Sequence, residues 1–209
     1  MTTTSLPVVV LATRNPGKVR ELSALLADLP LEVKSLLDFP DMPSLVEEGA
    51  TYAENAIAKA LTVSRATGQE ALADDSGIEI DALDGAPGVH SSRWLGEDAS
   101  DADRNAAVLE RLRGVSPDAR TARFRAVVAI AQPDGTVRTF EGVVEGRIAE
   151  RPAGREGFGY DPIFLVQGEG RTMAELGSQI KNRISHRARA VRAARSVLAA
   201  LAGDDTRSV

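Results

Sequence analysis

The segment VVVLATRNPGK, residues 8–18, constrains the fold more than any other part of this sequence. Val8 to Ala12 form an unbroken apolar run, a pattern typical of a strand that is buried on both faces. Asn15 is a suitable helix N-cap and Pro16 a suitable first helical residue, so a helix is predicted to begin directly after the strand. A doubly buried strand that leads into a helix predicts an α/β fold.

Residue patterns predict four main helices, which begin at Pro16, Thr51, Asp101 and Ser185. Gly68 and Gly114 are natural stops for the second and third helices, and the fourth is expected to run to Ala202. Thr172 and Glu175 form a capping box for an additional short helix. Helices are therefore expected at intervals throughout the chain.

Strand patterns occur between these helices. Phe124 to Ala131 and Val137 to Val144 are predicted to form a β-hairpin, because Asp134 and Gly135 supply a turn between them. The segment ALADDSGIEI, residues 71–80, is interpreted as short strand-like pieces around a turn. Mixed helices and strands with one hairpin again indicate the α/β class.

A chain of 209 residues with 43% apolar residues can bury one sizeable core, in one domain or in two lobes. We expect residues 1–203 to form one domain and residues 204–209 to be a disordered tail. Residues 147–170 are rich in Gly and Pro and are expected to form a long loop around one short strand.

Composition excludes several function classes. The net charge of −5 gives no excess of Lys and Arg, so we expect no nucleic-acid partner. The absence of cysteine excludes disulfides and thiolate metal sites. No pattern of a signal peptide or of a membrane span is present, so we expect no membrane partner and a cytoplasmic location.

The turn between the first strand and the first helix is a candidate anion site. Backbone N–H groups at a helix start attract anions, and a lysine beside them supplies a full positive charge. The spacing is not that of a Walker A motif. The alternative is a capped turn with a solvated lysine. The candidate residues are Thr13, Arg14, Asn15, Pro16, Gly17 and Lys18.

Two acidic pairs are candidate metal ligands: Glu47 with Glu48, and Asp74 with Asp75. Carboxylate oxygens suit Mg²⁺, which often bridges protein carboxylates to substrate phosphates. Asp74 and Asp75 are placed at a strand end, a common position for sites in α/β proteins. The two side chains are then expected to point in opposite directions. For an isolated Asp-Asp-Ser-Gly segment, a plain turn is the stronger alternative.

Basic and aromatic residues concentrate near the end of the chain. Lys181, His186 and Arg187 cluster near the start of the last predicted helix, where they could converge on a negatively charged ligand. Lys59 borders the apolar stripe of its helix, so it faces either a phosphate or solvent. The segment FGYDPIF, residues 158–164, holds three of the chain's eight aromatic residues. Without further context, such rings are expected to form a small hydrophobic patch that fixes a loop.

Five segments together resemble one family. They are LATRNPGKVREL, EEGATYAENAIAKA, LADDSGIEIDALDGAPGVHSSRW, FGYDPIF and KNRISHRARA. In this order they resemble the inosine triphosphate pyrophosphatases, the noncanonical purine nucleoside-triphosphate pyrophosphatases of the Ham1-like or RdgB type. The resemblance covers residues 11–190, and the combination of five motifs makes it specific.

The resemblance implies an elongated α/β fold with a mixed sheet flanked by helices, two lobes around a central cleft, and a homodimer. It implies Mg²⁺-dependent hydrolysis of ITP, dITP and XTP to the monophosphate and pyrophosphate. Glu47 and Asp75 would bind the metal, and Asp75 would also be the catalytic base. The remaining substrate-binding residues implied by the resemblance are Thr13 to Lys18, Lys59, Ser76, Phe158, Gly159, Tyr160, Asp161, Lys181, His186 and Arg187.

One position departs from the family pattern, which has glycine where this chain has Arg14. The position either tolerates a side chain, or Arg14 adds a phosphate contact. Two other functions stay open at this point. A Maf-like nucleotide pyrophosphatase would prefer other bases, although the FGYD and SHR segments argue against it. A nucleotide-sensing protein would bind without turnover, although Glu47 and Asp75 argue against that.

Overall fold

The computed structural model describes residues 5–203. The predicted tail, residues 204–209, lies outside the described residues. The strands are β1 (Val8–Leu11), β2 (Glu32–Ser35), β3 (Glu70–Ile80), β4 (Thr121–Ala131), β5 (Val137–Ile148) and β6 (Phe164–Val166). The α-helices are α1 (Pro16–Leu26), α2 (Tyr52–Thr67), α3 (Asp101–Arg111), α4 (Gly177–Ile184), α5 (His186–Ala193) and α6 (Arg195–Gly203). Within this described stretch, no helix is long and apolar enough to cross a membrane.

The strands form a six-stranded sheet in the order β2-β1-β3-β4-β5-β6. Strand β1 is parallel to both β2 and β3, with Val9 paired to Val33 on one side and Glu70 on the other. Strand β6 is antiparallel to β5, with Arg147 opposite Leu165. The sheet is therefore mixed, and the predicted α/β class is confirmed.

The chain folds into two compact units. The first contains the described residues up to Asp75, Val127–Glu141 and the described residues from Ala190 onward. The second contains Ser76–Ala126 and Gly142–Arg189. Strands β3, β4 and β5 each contribute residues to both units. One two-lobed domain over residues 1–203 stays a prediction.

Each unit has its own apolar core. In the first, Val9, Val10 and Leu11 are fully buried, as expected for a strand covered on both faces. In the second, helix α3 and strands β3 to β6 bury a cluster that includes Ile78, Val108, Phe124, Val144, Tyr160 and Phe164. These cores fix the ends of the elements that carry the candidate site residues.

Several predicted helix ends are confirmed by their caps. Asn15 caps α1, with Pro16 as the first helical residue. Thr51 and Gly68 bound α2, and Gly68 adopts a left-handed conformation. The capping box of Thr172 and Glu175 begins a short 3₁₀ helix, Met173–Glu175. Local sequence signals therefore located these ends correctly.

Two local predictions are wrong. Residues 71–80 do not form short pieces around a turn, because β3 runs unbroken from Glu70 to Ile80. Its apolar residues before and after the Asp-Asp pair are all buried, those before it in the first unit and those after it in the second. The last helix is not continuous from Ser185 to Ala202, because α5 ends at Ala193 and α6 starts at Arg195. Ala194, which lies between them, is fully buried.

Candidate functional site

The turn before α1 is held by its own side chains. Asn15 Oδ1 accepts hydrogen bonds from the N–H groups of Gly17, at 2.8 Å, and Lys18, at 3.1 Å. Thr13 Oγ1 accepts from the Asn15 N–H at 3.1 Å. The turn is therefore preformed, but an anion at the helix start would compete with Asn15 for these donors. The side chain of Lys18 is therefore more available to an anion than these N–H groups are.

Arg14 binds the protein itself. Its guanidinium donates to the main-chain carbonyl of Met42. The segment that follows Met42 leads to Glu47, so Arg14 links the turn before α1 to the chain that carries a predicted metal ligand. The position thus accepts an arginine, whose side chain stabilises the turn through its bond to Met42.

The first unit contains a charged group that we call the lysine–carboxylate cluster: Lys18, Glu47, Lys59, Asp74 and Asp75. Lys59 Nζ lies 2.5 Å from Glu47 Oε1 and 3.1 Å from Asp75 Oδ1. It also donates to the Asp74 carbonyl at 2.9 Å. Lys18 Nζ forms a separate ion pair with Asp74 Oδ2 at 2.8 Å. Lys59 is therefore buried among oxygens rather than directed to solvent.

Asp74 and Asp75 lie within β3 rather than at its end, which corrects the predicted position. Their side chains bind different lysines, Asp74 to Lys18 and Asp75 to Lys59. Both aspartates are buried, at 2% and 5% exposure, which a charged pair tolerates only with such partners. The lysines explain why this strand can continue through two acidic residues.

Burial and charge act in opposite directions on this cluster. Burial raises the pKa of Asp75, and the charges of Lys59 and Lys18 only partly oppose it, so the pKa stays above its ordinary value. Burial by itself would lower the pKa of Lys59, but Asp75 and Glu47 outweigh it and raise that pKa. Lys59 therefore stays positively charged at neutral pH, while Asp75 accepts a proton more readily than an ordinary aspartate.

Asn55 is a site residue that the sequence analysis missed. Its Nδ2 donates to Asp75 Oδ2 at 3.1 Å, and its Oδ1 accepts from the Gly49 N–H at 2.7 Å. A Cβ atom at Gly49 would lie 2.7 Å from Asn55 Oδ1, so only glycine fits there without a shift. Asn55 therefore connects the EEG segment to the catalytic candidate Asp75. Its position one helical turn before Lys59 was the available signal.

The lysine–carboxylate cluster fits a divalent cation. Glu47 and Asp75 both contact one ammonium, so a single cation can reach both carboxylates. Among residues 5–203, no group of three or more His, Cys, Asp or Glu side chains is arranged to hold a metal. Two protein carboxylates suit Mg²⁺, which keeps several waters and binds substrate phosphates.

The second unit contains a group that we call the aromatic–basic cluster. It consists of Phe158, Asp161, Lys181 and Arg187, together with His186, which directly precedes Arg187 in the chain. Lys181 Nζ lies 4.6 Å and Arg187 Cζ 5.6 Å from the centre of the Phe158 ring. Asp161 is 2% exposed, pairs with Lys181, and accepts from the Phe158 N–H at 2.9 Å. The cluster therefore combines one partly exposed ring with buried charged groups.

The other predicted residues of this region make contacts within the second unit. Tyr160 donates its hydroxyl to the Ser91 carbonyl at 2.9 Å, and burial raises its pKa above the usual range. His186 stacks on Phe124, with ring centres 4.7 Å apart. Arg187 Nη2 donates to Ser76 Oγ at 3.0 Å. Since Ser76 directly follows Asp75 in β3, Arg187 holds the residue next to the catalytic candidate.

Comparison with known proteins gives a consistent family. The Ham1 family matches residues 9–197 of the chain. The dITP/XTP pyrophosphatase of Geobacillus kaustophilus is 52% identical over 183 residues, which are 88% of this chain and 90% of that protein. The dITP/XTP pyrophosphatase of Thermus thermophilus is 54% identical over 186 residues, covering 88% of each chain. The solved structure of a HAM1 protein from Coxiella burnetii is 44% identical, with a TM-score of 0.83 over 92% of this chain and 98% of that one.

Proposed function

The chain belongs to the Ham1 family, and we propose that it is a nucleoside-triphosphate pyrophosphatase. Its substrates are noncanonical purine nucleotides, dITP, ITP and XTP, and its products are the monophosphate and pyrophosphate. The two relatives described above carry this activity in their names. The single structural observation in support is that Lys59 joins Glu47 and Asp75 beside a second lysine–aspartate pair. Lysines can bind the negatively charged phosphates of the substrate, and carboxylates can accept a proton from water, so this group suits hydrolysis of a nucleoside triphosphate.

We assign the triphosphate to the lysine–carboxylate cluster and to the turn of residues 13–18. Lys18 and Lys59 supply positive charge that can offset charge developing on the departing pyrophosphate. In the free protein both ammonium groups are bound by aspartates, so substrate phosphates exchange with carboxylate oxygens when they bind. Arg14 and Asn15 keep the turn in place through their own contacts.

We propose that Glu47 and Asp75 hold a Mg²⁺ ion. When bound, this ion neutralises phosphate charge and makes a coordinated water more acidic. Asp75 accepts the proton of the attacking water, whose oxygen forms a bond to the α-phosphorus while the bond from phosphorus to the pyrophosphate oxygen breaks. Asn55 donates to Asp75 Oδ2, so it orients the carboxylate that takes the proton.

We assign the purine base to the aromatic–basic cluster. The Phe158 ring supplies a face for stacking, which contributes about 1–3 kcal/mol per base. Hypoxanthine and xanthine carry an oxygen acceptor at position 6, where adenine carries an amino donor. Lys181, His186 and Arg187 can donate to that oxygen, and these donors would oppose the amino group of ATP.

Other expectations from the sequence remain proposals. A homodimer is proposed from the family resemblance, and light scattering of the purified protein tests it. The cytoplasmic location stays a prediction. Membership of the Ham1 family argues against a Maf-like enzyme, and a nucleotide sensor without turnover is separated from the proposed enzyme by one assay.

That assay measures pyrophosphate released from ITP, dITP, XTP, GTP and ATP, with Mg²⁺ and with a chelator. We expect rapid release from the first three nucleotides, little from ATP, and none with the chelator. Asp75→Asn is the matched control for contaminating activity. Binding of ITP without pyrophosphate release would reject the enzyme and favour the sensor.

A further inference from the structure

Helix α3 holds both backbone groups of Gly159. The Gly159 N–H donates to Asp101 Oδ2 at 2.7 Å, and the Gly159 carbonyl accepts from Asn105 Nδ2 at 3.0 Å. Asp101 and Asn105 are four positions apart, so they lie on one face of the helix. Two side chains of a single helix face thus bind one residue of the FGYD segment.

This contact helps to place the Phe158 ring, in addition to the bond that Asp161 accepts from the Phe158 N–H. Gly159 has a φ of +62°, a conformation that L side chains rarely adopt, so the chain changes direction here. On the far side, Tyr160 is fixed in the core by its hydrogen bond to Ser91. Because Gly159 connects this fixed residue to Phe158, the bonds from Asp101 and Asn105 define the orientation of the peptide next to the ring.

Asn105 is poorly explained by packing alone. It is 5% exposed, and its Oδ1 is buried with no hydrogen-bond partner among residues 5–203. The Asn105 side-chain amide must point its Nδ2 group toward Gly159, because the Gly159 carbonyl can only accept a hydrogen bond. A buried oxygen without a donor lowers stability, and asparagine is a weak helix former. An apolar residue would make the protein more stable at this helix position. The benefit of asparagine here is therefore its hydrogen bond to Gly159.

We propose that Asp101 and Asn105 are positioning residues for base binding, which hold Gly159 so that the Phe158 ring is ready to stack on the purine. This inference rests on the proposed function, because it takes a purine nucleotide as the ligand of this segment. In the proposed reaction, neither residue contacts the phosphates or the attacking water. Their loss should therefore weaken recognition of the base and leave phosphate binding intact.

The test uses Asp101→Ala and Asn105→Leu in the full chain, with Asp103→Ala as the control. Asp103 lies in the same first turn of α3, but it binds the N-cap Ser100 instead of Gly159. Calorimetric titration with IMP and, separately, with pyrophosphate needs no turnover. Hydrogen exchange of the Gly159 amide measures its hydrogen bond to Asp101 directly. Thermal unfolding measures the stability of each variant.

We expect Asp101→Ala to speed exchange of the Gly159 amide roughly tenfold or more, the effect of losing a hydrogen bond to a charged group. Both variants should raise the Kd of IMP about fivefold or more, the lower end of a lost stacking contact, with the Kd of pyrophosphate unchanged. Asn105→Leu should unfold at the same temperature as the wild type or higher. Asp103→Ala should lower the unfolding temperature only.

An unchanged IMP affinity in both variants, or an equal loss of affinity for IMP and pyrophosphate, would overturn the inference. An unchanged exchange rate in Asp101→Ala would also overturn it. Failure of the proposed function has a different signature, because the wild type would then release no pyrophosphate from ITP. A wild type that hydrolyses ITP while both variants bind IMP normally rejects the positioning role alone.

Discussion

Lys59 Nζ lies 3.1 Å from Asp75 Oδ1, and both side chains are almost completely buried. The same ammonium contacts Glu47, so a positive charge already joins the two carboxylates that we assign to the metal. An incoming divalent cation must share these oxygens with Lys59 or replace it. Lys59 therefore affects both the binding of a metal by Asp75 and the stability of the metal-free protein.

The first prediction concerns the proton acceptor. Asp75→Asn keeps the shape of the side chain but removes the basic oxygen and one metal charge, so turnover of ITP should be lost. The variant should still fold and bind ITP, since Lys18 and the aromatic–basic cluster are unchanged. Single-turnover assays and calorimetry check the two parts. Turnover within about threefold of the wild type would reject Asp75 as the base, because general base catalysis contributes roughly 10²-fold or more.

The second prediction is a pH dependence of stability without metal. Burial raises the folded-state pKa of Asp75 above the ordinary value of 3.8, with Lys59 and Lys18 opposing. The folded protein therefore binds this proton more tightly than the unfolded chain does, and the associated stability is lost as pH rises through the folded-state pKa. The unfolding temperature of the wild type should fall relative to that of Asp75→Asn between acid and neutral pH. A constant difference across this range would contradict the prediction.

The third prediction separates two neighbouring glutamates. Glu47→Gln should raise the Mg²⁺ concentration for half activity by about tenfold or more, a typical effect of disturbing a metal site. Glu48 is exposed and makes an adjacent, chemically identical control. Glu48→Gln should change the Mg²⁺ requirement much less. The opposite ranking would show that the metal ligand is displaced by one residue.

The sequence located the elements around the site better than the site's internal contacts. The apolar run of β1 and the caps of α1 and α2 are local signals, so they were predicted correctly. The continuous strand through Asp74 and Asp75 was not predicted, because its stability depends on Lys18 and Lys59. Partners that lie far apart in the chain leave no periodic pattern.

The same limit applies to the supporting residues. Asn105 is a polar residue on a helix, and nothing in its local sequence distinguishes it from a solvated one. The one local signal for Asn55 is its position one helical turn before Lys59. Their roles depend on contacts with Asp75 and Gly159, which come from other elements. Similarly, the separation of α5 from α6 has no Gly or Pro to mark it. Contacts between residues far apart in the chain determine the roles of Asn55 and Asn105, and local helix propensity carries no information about such contacts.

The fourth prediction tests stacking. Phe158→Ala should lower kcat/KM for ITP and for ATP by a similar factor, corresponding to about 1–3 kcal/mol, because stacking does not depend on the exocyclic groups of the base. Phe158 is only partly buried, so the variant should fold normally. Steady-state assays with both nucleotides check this. A change in the ratio of ITP to ATP activity would show that the ring contributes to selectivity.

The last prediction tests the donor side of base selection. Arg187 is 1% exposed and lies 5.6 Å from the Phe158 ring centre, so it is held rigidly beside the proposed base site. A hydrogen-bonding site can reject a mismatched analogue by roughly 10⁴-fold. Arg187→Ala should therefore reduce kcat/KM for ITP strongly and narrow its advantage over ATP. Arg187→Lys keeps the charge and guards against simple loss of folding, which thermal unfolding measures. If both variants fold and the ratio of ITP to ATP activity stays at the wild-type value, Arg187 does not select the base.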